Sequence, residues 1–258
     1  MAADWGMKGC APVSTPGVNE DRRDDKEDHE LTHAEAYAYR RSAAMGNYMA
    51  QDRPDISFAT KEVARGMAKP TKRDLVKLKR LIRYLVHNPR VVTKFKWQER
   101  PGKIDVYTDS DWGGCTRSRR STSGGAMMYG KHLLHHWSST QSVVALSSAE
   151  AELNAIVKGA SEMLGIMNVM KECGRKVEGQ MWTDSSAAKG ILHRQGAGKV
   201  KHLECRQLWV QEKIANKTIK CDKVAREMNP ADMLTHHWTT SEGHHHLRSL
   251  HVEKQNKV

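Results

Sequence analysis

Four carboxylates in the second half of the chain stand where metal-assisted hydrolysis would need them: Asp109, Glu152, Asp184 and Asp232. Asp109 closes the run Ile104-Asp-Val-Tyr-Thr-Asp109. There Ile104, Val106 and Thr108 alternate with Asp105 and Tyr107, the period of a short β-strand. Asp184 closes a second extended run, Gln180-Met-Trp-Thr183. Glu152 lies one turn into a long helical pattern, and Asp232 opens a helical turn whose Pro230 suits a first position. A carboxylate at a strand end rests on rigid backbone and faces a loop that admits water and a charged substrate. Singly, each is ordinary turn or helix-start chemistry. Together at one edge of a sheet they can share a pair of Mg²⁺ ions, which activate a water and stabilise the departing oxygen of a phosphodiester. Carboxylates that converge repel one another unless a cation neutralises them, so convergence is itself a metal hypothesis.

The elements that must position these groups follow from periodicity. Residues 1 to about 33 form a polar leader with the mixed-charge block Glu20 to Asp28, expected to be disordered or laid on a surface. The paired Asp24 and Asp25 lack the flanking apolar strands that a polymerase hairpin requires. Thr32-His-Ala-Glu35 is a capping box ahead of a helix from Ala34 to about Met49. Arg53-Pro54 breaks that helix, and a second runs from Asp55 to about Met67. A third, capped by Thr71, carries Leu75, Leu78, Ile82 and Leu85 inward and a dense basic face outward. Residues 34–100 thus read as a helical segment.

A compositional change at Arg100-Pro101-Gly102 opens the main domain, 101–236. It reads as strands at 104–108, 125–129 and 132–138, a helix from 149 to 173 capped by Ser147, and a strand at 180–183. A short helix from 185, a helix to about Asn216, a strand at 218–224 and the last helical turn complete it. The expected class is mixed α/β with a five-stranded sheet flanked by helices. The His-rich end, 237–258, reads as irregular, and its histidines lack the spaced Cys and His pattern of a zinc site.

The chain has 258 residues and a formal net charge of +12, which favours a polyanionic partner, most often nucleic acid. Its five cysteines form no C-x-x-C pair, as expected for reduced thiols. No apolar run approaches the roughly 20 residues of a membrane span, and the N-terminus is not a signal peptide. The expectation is a soluble intracellular protein without membrane partners.

At this point the sequence resembles a known family. Tyr107-Thr-Asp-Ser-Asp-Trp-Gly-Gly114, Arg119-Arg-Ser-Thr-Ser-Gly124, Trp137 through Glu152, Trp182-Thr-Asp-Ser-Ser-Ala187, Lys201-His202 and Asn229-Pro-Ala-Asp232 stand in the order found in one domain. That domain is the ribonuclease H domain of Pol polyproteins from copia-type long-terminal-repeat retrotransposons. Upstream, Gly6 to Pro16, Asp52 to Phe58 and Lys79 to Leu85 resemble the segment after the polymerase palm, so residues 34–100 would be a thumb-like or connecting region. The chain then looks like the C-terminal part of such a polyprotein, without the polymerase active site.

The resemblance implies an RNase H-like fold and a Mg²⁺-dependent endonuclease, with two ions and Mn²⁺ as a substitute. It would hydrolyse the RNA strand of RNA/DNA hybrids during reverse transcription. It implies Asp109, Glu152, Asp184 and Asp232 as catalytic, metal-binding carboxylates. Glu150 is the rival of Glu152, about 200° away around the helix; the pattern Glu-x-x-Ala is met by Glu152-Leu-Asn-Ala155. Asp111 is the rival of Asp109. A hybrid is told from other duplexes through 2′-hydroxyls and phosphates. The polar residues Ser138, Ser139, Thr140, Gln141 and Ser185 and the basic Arg117, Arg119, Arg120, Lys199 and Lys201 are candidate contacts, with His202 a candidate for proton transfer or product release. Expected partners are an RNA/DNA hybrid and the polymerase portion of the same polyprotein. The expected location is the cytoplasm, within a virus-like particle, or the nucleus. An inactive nucleic-acid-binding remnant is the alternative. An integrase of the same superfold fits poorly, because Glu152 precedes Asp184.

Overall fold

A computed structural model of the chain describes residues 1–19, 28–194, 196 and 205–255. Thr32 accepts from the Glu35 amide while the Glu35 carboxylate accepts from the Thr32 amide, and this box starts α1 (His33–Met49). Arg53 interrupts the chain and Pro54 begins α2 (Pro54–Ala64), where a missing N–H costs nothing. A second box, Thr71 with Asp74, starts α3 (Lys72–His87). The three helices bury Tyr39, Ala43, Ile56, Val63, Leu78, Leu81 and Ile82. The helical unit spans residues 1–93, 236–248 and 252–258. Within it the leader lies on the helices: Trp5 Nε1 donates to Ser42 Oγ, and Arg83 Nε to the Ala11 carbonyl.

The His-rich end is not irregular. It forms α7 (Thr240–Ser249) and β7 (Val252–Gln255), and β7 pairs antiparallel with β1 (Arg90–Thr93). A two-stranded pairing between distant segments leaves little trace in local periodicity, which is why the end read as structureless. Among the described residues no group of histidines gathers at ligand distance.

The second unit, residues 94–235 and 249–251, holds a five-stranded sheet in the order β4-β3-β2-β5-β6. Its strands are β2 (Lys103–Ser110), β3 (Thr122–Tyr129), β4 (His132–Thr140), β5 (Glu178–Thr183) and β6 (Ile219–Lys223). The first three form the expected antiparallel meander, whereas β2, β5 and β6 run parallel. Helix α4 (Ser148–Glu172) crosses from the meander to β5, and α5 (Ser186–Leu192) with α6 (Cys205–Ala215) from β5 to β6. This is the expected mixed α/β class, with a five-stranded mixed sheet and helices between its strands.

Ile104 and Val106 of β2, Met127 of β3, Met181 of β5 and Ile219 of β6 pack with Leu153, Ile156, Ala160 and Met163 of α4 in one core. Helix α4 sits unusually close to β2 because Gly159 faces it. A Cβ there would come within 2.6 Å of Thr108 Cγ2. That close seat fixes the height of the first turns of α4, and hence of Glu152, above the strand ends.

Candidate active site

Parallel pairing decides the site. Because β2 and β5 run the same way, with Tyr107 opposite Trp182, their C-terminal ends lie side by side. Asp109 is the penultimate residue of β2, and Asp184 follows directly on β5. The Thr108 hydroxyl donates to the Trp182 carbonyl at 3.3 Å and ties the two ends together. The Ser147 hydroxyl caps α4 by accepting from the Glu150 amide, and Glu152 then reaches the strand ends. Its Oε1 accepts from the Ser110 amide at 3.2 Å. One carboxylate oxygen from each of Asp109, Glu152 and Asp184 falls within 4.8 Å of the others.

Asp232 comes in from a different direction. It starts a short 3₁₀ turn, Asp232–Leu234, that lies against β2 and β3. Two features seat that turn. Buried Asn229 donates through Nδ2 to the Thr108 carbonyl at 3.0 Å and accepts from the Ala231 amide at 3.2 Å. Gly124, directly opposite Asp109 in the sheet, leaves room: a Cβ there would stand 2.8 Å from the Ala231 carbonyl oxygen and 2.7 Å from Thr235 Cγ2. Asp232 lies outside the tightest group of three, close enough for its charge to act on all of them.

Burial and like charge push these acids the same way. Desolvation, with Asp184 and Asp232 adding repulsion, raises the Asp109 carboxyl to about 7 against a hydrogen bond from Thr235 that lowers it. Glu152 rises to about 9, through burial first and then the charge of Asp109 and Asp184. Asp184 rises as well, by burial and the charge of Asp232. The Arg226 guanidinium lies 3.3 Å from Asp232 Oδ1 and supplies positive charge at the outer edge. Glu152 Oε2 is buried and meets no hydrogen-bond donor. Carboxylate oxygens in this arrangement suit hard divalent cations such as Mg²⁺, which take oxygen ligands and suppress mutual repulsion.

The two rivals are engaged by backbone amides elsewhere. Glu150 faces away from the group, its Oε2 accepting from the Leu146 amide at 2.8 Å. Asp111 accepts from the Thr122 amide and braces the following loop. Of the expected substrate contacts, Gln141 is spent internally. It is buried, and Nε2 donates to Ser110 Oγ, Ser123 Oγ and the Ala151 carbonyl while Oε1 accepts from Asn154. It is a strut between β2, β3 and α4.

Ser139 and Thr140 are half-buried at the end of β4, where Lys158 Nζ donates to Ser139 Oγ at 2.8 Å. The Ser138 hydroxyl is buried. Ser185 caps α5 through a hydrogen bond from the Ala188 amide. Arg117, Arg119 and Arg120 are exposed on the loop after β2. Lys199, Lys201 and His202 lie outside the described residues, as do Asp24 and Asp25.

Two residues that the sequence did not single out touch the acids, and a third reaches a candidate contact. The Thr235 hydroxyl donates to Asp109 Oδ2 and contacts the Asp232 carbonyl. Arg226 neutralises Asp232. Lys158 leans over the Trp137 ring on its way to Ser139. Thr235 had a signal, since it lies three residues after Asp232 and so returns to the same side of a 3₁₀ turn.

No family model matches the chain. It is 28% identical over 243 residues to the retrovirus-related Pol polyprotein from transposon TNT 1-94 of Nicotiana tabacum, covering 90% of this chain and 18% of that protein. The corresponding polyprotein from transposon RE1 of Arabidopsis thaliana is 27% identical over 242 residues, covering 91% of this chain and 16% of its own length. The chain therefore spans less than a fifth of the polyproteins it matches. Among solved structures, LC11-RNase H1, isolated from compost, matches 52% of this chain and 93% of its own, with 20% identity and a TM-score of 0.38. Sequence similarity runs through both units, and the homologues of this chain are retrovirus-related Pol polyproteins of plant copia-type transposons.

Proposed function

We propose that the chain is a divalent-metal-dependent ribonuclease H that hydrolyses the RNA strand of RNA/DNA hybrids. The observation that carries this reading is the convergence of Asp109, Glu152 and Asp184 within 4.8 Å, with Asp232 beside them. A buried group of acids whose protons are held up to about 7 and about 9 stores repulsion that a bound cation relieves. In this reading Asp109, Glu152, Asp184 and Asp232 hold two Mg²⁺ ions. When bound, the ions supply an activated water and stabilise the departing oxygen of the phosphodiester.

The chain's own residues do the rest. Asp109 and Asp184 sit on paired strand ends and keep a fixed spacing while substrate comes and goes. Glu152, anchored by the Ser110 amide, keeps one oxygen directed by that bond and the other available. Arg226 places positive charge against Asp232, the outermost acid. The basic loop carrying Arg117, Arg119 and Arg120 supplies charge for phosphates next to this centre.

The test is cleavage of an end-labelled RNA/DNA hybrid by the purified chain with Mg²⁺. The wild type is expected to cut the RNA strand and no DNA strand, with Mn²⁺ substituting. Asp109→Asn is expected to lose at least about 100-fold in rate, and Asp232→Asn, outside the tight group, to lose less. Absence of cutting by the wild type, with hybrid still bound, would instead make the chain a binding remnant.

A further inference from the structure

The loop that follows Asp109 does more than close a turn. Trp112 is 61% exposed, unusual for an indole, and its one polar atom is committed: Nε1 donates to the Ala145 carbonyl at 3.2 Å. That carbonyl belongs to the β4–α4 loop, where the Leu146 amide is held by Glu150 and Ser147 caps the helix that carries Glu152. The ring is therefore fixed in orientation by the same element that fixes the acidic group. Val144 and Leu146, 47% and 67% exposed, extend the apolar surface on that loop.

Arg119 completes the feature. Its backbone is held in the left-handed region at φ 55, where side-chain-bearing residues are disfavoured. The strain is imposed by a closed loop. The Arg119 amide donates to the Cys115 carbonyl at 2.7 Å, and the Cys115 amide to the Arg120 carbonyl at 3.2 Å. The guanidinium turns back over Gly113, with Nη2 3.8 Å from where a Cβ on that glycine would stand. A cation thus stands beside the residue that follows the exposed indole. Arg117 and Arg120 are exposed on the same loop. Trp112 is two residues beyond Ser110, whose amide holds Glu152, so its Cα lies at most about 7 Å from that of Ser110. That is about two nucleotide steps along a strand.

We propose that Trp112 and Arg119 form a nucleic-acid-gripping lip, the indole lying against a sugar or base face of the strand held at the carboxylates and the Arg119 guanidinium taking an adjoining phosphate. The inference rests on the nuclease reading for its choice of substrate. An exposed indole beside a loop that carries three exposed arginines matches a strand that offers flat faces and negative charge, and aromatic contact adds affinity with little dependence on sequence. The strained Arg119 is held against a local preference for glycine, and a phosphate contact gives that position a use.

Binding and cutting are measured separately. Anisotropy of a labelled RNA/DNA hybrid is read in an Asp109→Asn background, and cleavage in the otherwise wild-type chain. Trp112→Ala is expected to weaken binding by about 10-fold. Trp112→Phe, which keeps a ring and loses the Ala145 bond, is expected to stay within about 3-fold of the parent. Arg119→Gly is expected to weaken binding, to reduce the salt slope by about one, and to raise the melting temperature because φ 55 suits glycine. A merely structural role would move stability and binding the same way.

Parent-like binding by Trp112→Ala and Arg119→Gly overturns the lip while leaving the nuclease reading intact. Equal loss in Trp112→Phe and Trp112→Ala also overturns it, since loop anchoring would then explain the effect. Trp112-dependent binding with no cleavage by the wild-type residues supports the lip and removes the nuclease reading. A parent that binds no hybrid removes both.

Discussion

The Thr235 hydroxyl donates to the Asp109 carboxylate across 126 residues of sequence, linking the first acid of the site to the turn that carries the last. The same hydroxyl contacts the Asp232 carbonyl, so one side chain sets the relation between the two acids. The bond also opposes burial and repulsion, which otherwise raise the proton affinity of Asp109.

Removing that donor while keeping its shape should show in the pH profile. Thr235→Val leaves Asp109 buried beside Asp184 and Asp232 without its hydrogen bond, so its carboxyl should rise further above about 7. The expected outcome is a loss of about 10-fold in cleavage at neutral pH, the scale of a hydrogen bond to a charged group. The acid limb of the rate profile should move to higher pH, and Thr235→Ser should restore both. A Thr235→Val enzyme with reduced rate and an unmoved limb would leave Thr235 a packing residue.

Stability should depend on pH in a direction set by the same acids. Asp109 and Glu152 hold protons up to about 7 and about 9 in the folded protein and release them near pH 4 when unfolded. Between those limits the native state binds more protons. The stability these groups contribute is therefore fully present below about pH 4 and is lost as pH rises through about 7 and then about 9. Thermal melts without metal should fall across that window, and Glu152→Gln should flatten the upper part. Mg²⁺ favours the ionised forms, so its stabilising shift should be larger at about pH 8.5 than at about pH 6. An equal Mg²⁺ shift at both pH values would place the ion elsewhere.

Much of the site was legible because its parts are local. Strand alternation ending on Asp109, the Ser147 cap ahead of Glu152 and the short run before Asp184 each announce themselves within a few residues. What hid was non-local. Gln141 looked like a polar residue at a strand end, and only the meeting of β2, β3 and α4 turns its amide inward. The pairing of β1 with β7 depends on Arg90 meeting Gln255, which no window of sequence contains. Trp112 is the reverse case. An indole is ordinarily core or rim, and only its hydrogen bond to Ala145 shows it held outward on the loop after Asp109.

Gly124 offers the sharpest separation of site from fold. It pairs with Asp109 in the middle of the sheet, where glycine is a poor strand former, so a side chain should be welcome on propensity alone. The obstacle is the turn lying on it. A Cβ would stand 2.8 Å from the Ala231 carbonyl oxygen, 2.7 Å from Thr235 Cγ2 and 3.0 Å from Leu234 Cβ, so backbone has to move. In Gly124→Ala the sheet keeps its hydrogen bonds while the Asn229–Thr235 segment lifts, taking Asp232 and the Thr235 hydroxyl with it. The expected result is a loss of about 100-fold in hybrid cleavage, weaker Mg²⁺ binding, and a melting temperature only a few degrees lower. Cleavage at the wild-type rate in a folded Gly124→Ala chain would show that Asp232 and Thr235 are not needed where the turn now holds them.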